Sequence, residues 1–308
     1  MKIHNSLETF YAKNPVVTIG MFDGVHTGHQ TIINRLCKVS KEMDGESVLI
    51  TFWPHPRMVF GNSDDFRILT TLNEKCNLLE TFGIDHCIII PFSKEFSQIS
   101  AENYITDILY KKIGVSKIII GHDHRYGHKG MGDYSLMVTY GNKLGFSVEE
   151  IPPYDIEAIT VSSTKIRNAI INGELENAKK LLGYIYSIEG TVIHGNKIGR
   201  TIHVPTANIL PDSPLKIIPA KGVYIGFVLY NNTYLQAVVS IGVNPTINAQ
   251  NQEIRIEAHI LDFSNEIYDQ TVRLFFIHKI RNEQTYESLS ALQNAIQNDI
   301  MYARNYFK

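Results

Sequence analysis

A doubly wound α/β sheet followed by an antiparallel β-barrel with a C-terminal helix is the fold the sequence predicts, and three observations carry that expectation. The chain has 308 residues, about twice the roughly 150 expected of one domain. Its first half alternates bursts dense in Ile and Val with segments of helical spacing, the pattern of parallel strands buried on both faces. Beyond Gly183 the texture changes to strands separated by turn residues. Domains are therefore expected at 1–183 and 184–308.

In the first half, "PVVTIG", "SVLITF", "HCIIIPF" and "SKIIIGHD" read as buried strands, with "QTIINRLCKVSKEM" and "AENYITDILYKKIG" as helices between them. A last strand, "SVEEIP", leads to Ser162, Ser163 and Thr164, a hydroxyl-rich helix start, then a break at "NGE" and a second helix ending at Gly183. In the second half "YSIEGTVIHGNK", "GVYIGFVLYNNTYLQAVVSIG", "EIRIEAHILDF" and "QTVRLFFIHKI" read as strands, with Asn231-Asn232 a hairpin turn. The tail "TYESLSALQNAIQNDIMYARNYF" has helical spacing and is expected to pack across one end of the barrel.

Composition narrows the function. A net charge of −2 gives no basic field for nucleic acid, so no nucleic-acid partner is expected. Cys37, Cys76 and Cys87 are odd in number and lack CxxC spacing, which points to reduced thiols. The N-terminal stretch has no apolar core of signal-peptide type, and no apolar run reaches the eighteen or so residues of a membrane span. No membrane partner and a cytoplasmic location are expected, with weak self-association left open.

The stretch "VVTIGMFDGVHTGHQ" runs from a strand ending at Gly20 into a helix starting near Thr27. Unpaired backbone amides and the positive end of the helix dipole then meet at one point, which favours phosphate. His26 and His29 are three apart, hence on one face of the first turn, where imidazole N–H groups can stabilise developing charge. Gly24 and Gly28 let a substrate approach the backbone. A lone HxGH fits solvated helix-start residues better than a site; its place after a strand, and a second helix start at "SSTKIR", favour a nucleotide triphosphate, with Lys165 or Arg167 to meet its charge. Arg167 is preferred, because its planar fork grips phosphate oxygens in pairs.

In the second half, "GTVIHGNKIGRTIHVPTAN" sets Thr206 and Asn208 two apart, on one side of an extended stretch. A hydroxyl and an amide carbonyl there are hard oxygen ligands suited to Mg²⁺ that also touches phosphates. Strand period in "EIRIEAHILDF" puts Ile254, Ile256, Ala258 and Ile260 on one face and Arg255, Glu257 and His259 on the other. Glu257 is thus presented toward solvent or a cleft, as an ordinary exposed strand glutamate or as a carboxylate able to take a proton from an attacking hydroxyl.

"GMFDGVHTGHQ", "TFWPHP", "GHDHRYGHKGMGD" and "VSSTKIR", in that order, resemble the N-terminal module of the bacterial bifunctional riboflavin kinase and FAD synthetase family. "GxVxHGxxxGR", "PTAN", "GVY", "IGVNPT", "IEAHILDF" and "KIRNE" resemble its riboflavin kinase module. The resemblance implies a Rossmann-like nucleotidyltransferase module that transfers AMP from ATP to FMN with loss of pyrophosphate, and a barrel module that makes FMN from riboflavin with ATP and Mg²⁺. It implies catalytic roles for His26, His29, Arg167 and Glu257, and phosphate contacts from Gly20, Phe22, Asp23, Gly24, Gly28, Asp123, Ser163 and Thr164 in the first module. In the second it implies nucleotide contacts from Gly195, Lys197, Gly199 and Arg200, with Thr206 and Asn208 on the metal. Flavin contacts are assigned to His55, Asn244 and Arg281. The chain departs from the family pattern at Asp123 and His124, where Asn and an aromatic are common, and at His203-Val204, where Gly-Phe is usual. A chain with one active module, a flavin-binding regulator without turnover, and an RNA-linked enzyme with a similar HxGH element are the alternatives.

Overall fold

The computed structural model describes residues 1–61, 66–122, 124–152, 161–195, 204–243 and 254–308. By its contacts the chain divides into two compact units, Met1–Ser163 and Thr164–Lys308.

The first unit is built on a six-stranded, all-parallel sheet among the described residues. Its strands are β1 (Lys2–His4), β2 (Val16–Ile19), β3 (Ser47–Trp53), β4 (His86–Pro91), β5 (Lys117–Gly121) and β6 (Ser147–Ile151), in the spatial order β1-β4-β3-β2-β5-β6. Alternate residues of each central strand feed opposite cores. Val17, Ile19, Val48, Ile50, Ile88, Ile90, Ile118 and Ile120 pack on one face with Tyr104, Ile108 and Met137. Val16, Leu49, Cys87, Ile89 and Ile119 pack on the other with Ile33, Leu36 and Leu79. Burial on both faces explains why these strands read as continuous apolar runs. The order reverses at β2, whose neighbours β3 and β5 lie on opposite sides, so the ligand crevice of such a sheet falls at the carboxyl end of β2.

Helix α1 (Thr27–Glu42) starts where the sequence places it. The short α2 (Pro56–Phe60) follows a cis Trp53-Pro54 bond. A capping box fixes α3 (Leu72–Glu80): Thr71 Oγ1 accepts from the Glu74 amide at 3.2 Å, and Glu74 accepts from the Thr71 amide at 2.8 Å. The segment expected as an ordinary helix over "AENYITDILYKKIG" is one turn of α4 (Ala101–Asn103) that widens into a π-helix, Tyr104–Ile113. Helix α5 (Tyr134–Leu144) is capped by Asp133, whose carboxylate accepts from the Leu136 amide at 2.9 Å.

Helix α6 (Ser163–Asn172) begins at the last residue of the first unit, and α7 (Leu175–Leu182) ends at Gly183, whose φ of 79° makes it a left-handed C-cap. The second unit's barrel is closed and antiparallel. Its strands are β7 (Ser187–Ile193), β8 (Ala207–Pro211), β9 (Gly222–Tyr230), β10 (Thr233–Val243), β11 (Ile254–Ile260) and β12 (Thr271–Arg281), in the order β10-β11-β8-β7-β12-β9. Asn231 and Asn232 turn the β9–β10 hairpin with φ of 47° and 60°, the positive pair that a two-residue hairpin needs. Helix α8 (Leu289–Tyr306) opens at the Ser288 cap, and Ile300 and Ala303 pack on Val223, Ile225 and Val238. Strand β11 keeps the expected alternation, with Ile256, Ala258 and Ile260 buried. Ile254 departs from it: it is exposed, being the first residue of the strand.

Candidate active sites

In the first unit the loop from Gly20 to His26 leaves β2 at the sheet's switch point. Phe22, Gly24 and Val25 have φ of 48°, 82° and 37°, a conformation that costs a non-glycine residue free energy and persists only where the surroundings over-determine it. They do so here. The Asp23 carboxylate accepts from the amides of Leu69 and Thr70 at 3.0 and 3.1 Å, and the Asp23 carbonyl accepts from Ser163 Oγ at 3.0 Å. Gly24 N–H donates to Thr70 Oγ1 at 3.1 Å. Asp23 and Ser163 thereby tie the loop to two other segments, and Phe22, almost fully buried, packs over Gly20.

His26 is the N-cap of α1, its Nδ1 accepting from the His29 amide at 3.4 Å. The two imidazoles stack at 3.6 Å between centroids, and Phe22 stands edge-on to His29 at 5.1 Å. Burial first, then the charges of His26 and Lys75, hold the His29 pKa well below its ordinary value, and its Nδ1 is buried with no partner among the described residues. His29 is thus a neutral imidazole at a helix start. The expected residues Gly20, Phe22, Asp23, Gly24, His26, Gly28, His29 and Ser163 belong to this one corner or its support. His55 instead caps α2, accepting from the Arg57 amide at 3.1 Å and packing on the Phe66 ring at 4.6 Å. Thr164 and Arg167 lie in the first turns of α6. Asp123 lies outside the described residues.

Beside the corner is a feature the sequence did not point to: a cavity of about 730 Å³ lined by Gly20 and Met21 on one side and by Phe52, Phe60, Phe92, Phe96, Tyr104 and Tyr126 around it. The rings form a chain of tilted and edge-to-face contacts, Phe60–Phe92–Phe96–Tyr104–Tyr126, with centroids 5.8 to 6.3 Å apart. Arg125 and Lys129 lie on its rim loop. The Tyr104 hydroxyl is buried without a partner among the described residues, and burial raises its pKa. A signal was present: Phe52 and Phe92 fall at the carboxyl ends of β3 and β4, where a parallel sheet binds its ligand.

In the second unit Asn208 of β8 is directly opposite Glu257 of β11. Thr206 Oγ1 donates to Glu257 Oε2 at 3.0 Å, so the hydroxyl, amide and carboxylate predicted to work together converge. Gly195 is required by close approach, because a Cβ there would lie 2.3 Å from Asn208 Nδ2. Thr206 also lines a cavity of about 480 Å³ with Ile260, Phe263 and Tyr268. The Arg281 guanidinium is committed to Asp299 of α8, donating to both carboxylate oxygens at 3.0 and 2.7 Å, and serves as an anchor for that helix. Lys197, Gly199, Arg200 and Asn244 lie outside the described residues.

A parallel sheet with a phosphate-ready helix start at its switch point, followed by a closed barrel that gathers a hydroxyl, an amide and a carboxylate, defines a nucleotide-dependent transferase with two modules. Comparison with known proteins gives the particulars. Residues 9–165 match the model of the FAD synthetase family, and residues 182–307 that of the riboflavin kinase family. The chain is 38% identical, over 96% of its length and 94% of the relative's, to the bifunctional riboflavin kinase/FMN adenylyltransferase of Buchnera aphidicola subsp. Schizaphis graminum. To the protein of that description from Escherichia coli K12 it is 34% identical, over 99% and 96%. A crystal structure described as a macrolide-efflux protein from Streptococcus pneumoniae superposes with a TM-score of 0.88 at 29% identity, over 99% of this chain and 98% of that one. The chain belongs to the bifunctional riboflavin kinase/FMN adenylyltransferase family, with the FAD synthetase module first and the riboflavin kinase module second. No helix among the described residues is long and apolar enough to cross a membrane.

Proposed function

We propose that the two activities of the family are divided between the sites described above, with functional modules at 1–183 and 184–308. The observation that carries the reading is the meeting, at Gly20 and Met21, of a phosphate-ready helix start and an aromatic cavity. The corner takes the ATP triphosphate, with His26 and His29 donating to it and Ser163 supporting its loop, and the phosphate roles of Thr164 and Arg167 rest on the motif resemblance alone. The cavity takes the FMN ring system, whose faces suit the aromatic walls and whose polar edge suits the Tyr104 hydroxyl. The FMN phosphate attacks the α-phosphorus in line, the bond to pyrophosphate breaks, and no covalent enzyme intermediate is needed. Positioning and charge stabilisation do the catalytic work.

In the barrel, Thr206, Asn208 and Glu257 form an all-oxygen donor set of the kind Mg²⁺ prefers, and Thr206 and Asn208 would hold the ion together with ATP. When bound, the ion neutralises charge on the transferring phosphoryl group. Glu257 takes the proton from the 5′-hydroxyl of riboflavin as that oxygen attacks the γ-phosphorus, the bond from that phosphorus to the β-phosphate oxygen breaks, and ADP leaves. The partners of this reading are ATP, riboflavin and FMN, as the two family activities imply, and its location is the cytoplasm. The test is FAD and pyrophosphate formation from supplied FMN and ATP by the intact chain and by His29→Ala. A variant as fast as the parent removes the histidine corner from the reading.

A further inference from the structure

Beneath the histidine loop lies a charged group that no motif singles out. Lys75 of α3 is only 2% exposed. Its Nζ donates to the Met21 carbonyl at 2.9 Å and contacts Thr51 Oγ1 at 3.1 Å, while Thr51 Oγ1 donates to the same carbonyl at 3.1 Å. A trans peptide is planar and its C=O and N–H point opposite ways. With the Met21 carbonyl drawn down to Lys75, the Phe22 N–H is turned to the other side of the loop. We propose that Lys75 is a positioning residue of the adenylyl-transfer site, fixing the Met21–Phe22 peptide from below and setting the charge under the phosphate-binding corner.

The proposal rests on the assignment of that corner to the ATP triphosphate. Two features argue that Lys75 does more than pack. Thr51 already gives the Met21 carbonyl a neutral donor, and a buried ammonium is an expensive way to add a second. The charge also has consequences on both flanks. Burial disfavours the Lys75 ammonium, and the charge of Asp23, whose carboxylate also accepts from the amides of Leu69 and Thr70, favours it. The titratable groups that bear on His29 are His26, at the start of its own helix, and Lys75, from α3, and both disfavour its protonation. Lys75 therefore helps keep His29 a neutral donor, without a proton to lose as the pH rises through neutrality.

The experiment measures FMN-to-FAD conversion by Lys75→Met, Lys75→Gln and His29→Ala in the full chain, with riboflavin phosphorylation by the same preparations as an internal control. For Lys75→Met the expected result is a kcat lower by about 10- to 100-fold, the scale of a small misplacement of reacting groups. KM for FMN is retained, riboflavin phosphorylation is unchanged, and the acid limb of the adenylyl-transfer pH profile moves to higher pH as His29 becomes easier to protonate. A parental kcat, or a lower kcat with an unmoved acid limb, overturns the proposal. If Lys75→Met abolishes the melting transition of the first unit, Lys75→Gln decides: it keeps a polar donor at this position but removes the charge. A severalfold lower kcat with the acid limb moved to higher pH then supports the role of Lys75, and a parental kcat or an unmoved acid limb overturns it. His29→Ala separates the two layers of the argument. If it is as fast as the parent, the corner assignment fails; if it is impaired while Lys75→Met is not, only the role of Lys75 fails.

Discussion

Replacing Glu257 by Gln isolates the chemistry of one proton. Glutamine has nearly the same volume and keeps a carbonyl oxygen, so the 3.0 Å hydrogen bond from Thr206 Oγ1 can persist. The register of β11 against β8, with Asn208 opposite position 257, does not depend on that side chain. What is lost is the ability to accept a proton from the attacking hydroxyl. Loss of a general base lowers a rate by roughly 10² to 10⁴, which corresponds to about 2.7 to 5.5 kcal/mol of barrier. Steady-state phosphorylation of riboflavin, followed by separating flavins with fluorescence detection, reads the effect directly. Conversion of supplied FMN to FAD, in the first unit, is expected to stay at the parental rate and reports that the chain is intact. A variant phosphorylating riboflavin within about threefold of the parent would refute the assignment, because a base worth so little lies below the range on which the reasoning depends.

Other consequences are open to measurement. The His29 pKa lies below its unfolded value of 6.5, so below that pH the unfolded chain binds a proton that the folded one does not. This contribution makes the first unit lose stability as pH falls from about 6.5 toward the folded pKa; denaturant titrations on His29→Ala should show a shallower loss over that window. Removing one partner of a buried ion pair costs about 3 to 5 kcal/mol, and Arg281 is partly exposed, so Arg281→Met should destabilise the second unit by about 3 kcal/mol in urea. Tyr104→Phe removes one buried hydroxyl from the aromatic cavity; a hydrogen bond worth about 1 kcal/mol predicts a KM for FMN about fivefold higher, with melting unchanged or raised.

Much of the architecture was legible because the signals are local. Bursts such as "SVLITF" name strands buried on both faces, and Asn231-Asn232 and Gly183 sit where positive φ is required. The three-residue β1 was not legible: "KIH" is too short to carry a pattern, and β4 alone gives it a partner. The wide turns of Tyr104–Ile113 escaped as well, since a π-helix shares the apolar spacing of an α-helix closely enough to be read as one. At the sites, His26, His29, Thr206, Asn208 and Glu257 were found because each pair is close in sequence or set by strand period. Lys75 was not, because its meaning depends on Met21 and Thr51, which are 54 and 24 residues away. The aromatic cavity has the same origin, drawing rings from β3, from the segment after β4 and from the π-helix. Arg281 has a partner that the motif did not reveal: Asp299, 18 residues on.

The most direct measurement of the central claim is a time course of purified full-length chain with riboflavin, ATP and Mg²⁺, resolved into riboflavin, FMN and FAD. Two working modules in one chain predict FMN first and FAD after a lag, with pyrophosphate released in step with FAD. FMN that accumulates without FAD would contradict the assignment of adenylyl transfer to the histidine corner, and riboflavin left unchanged would contradict the role given to the barrel.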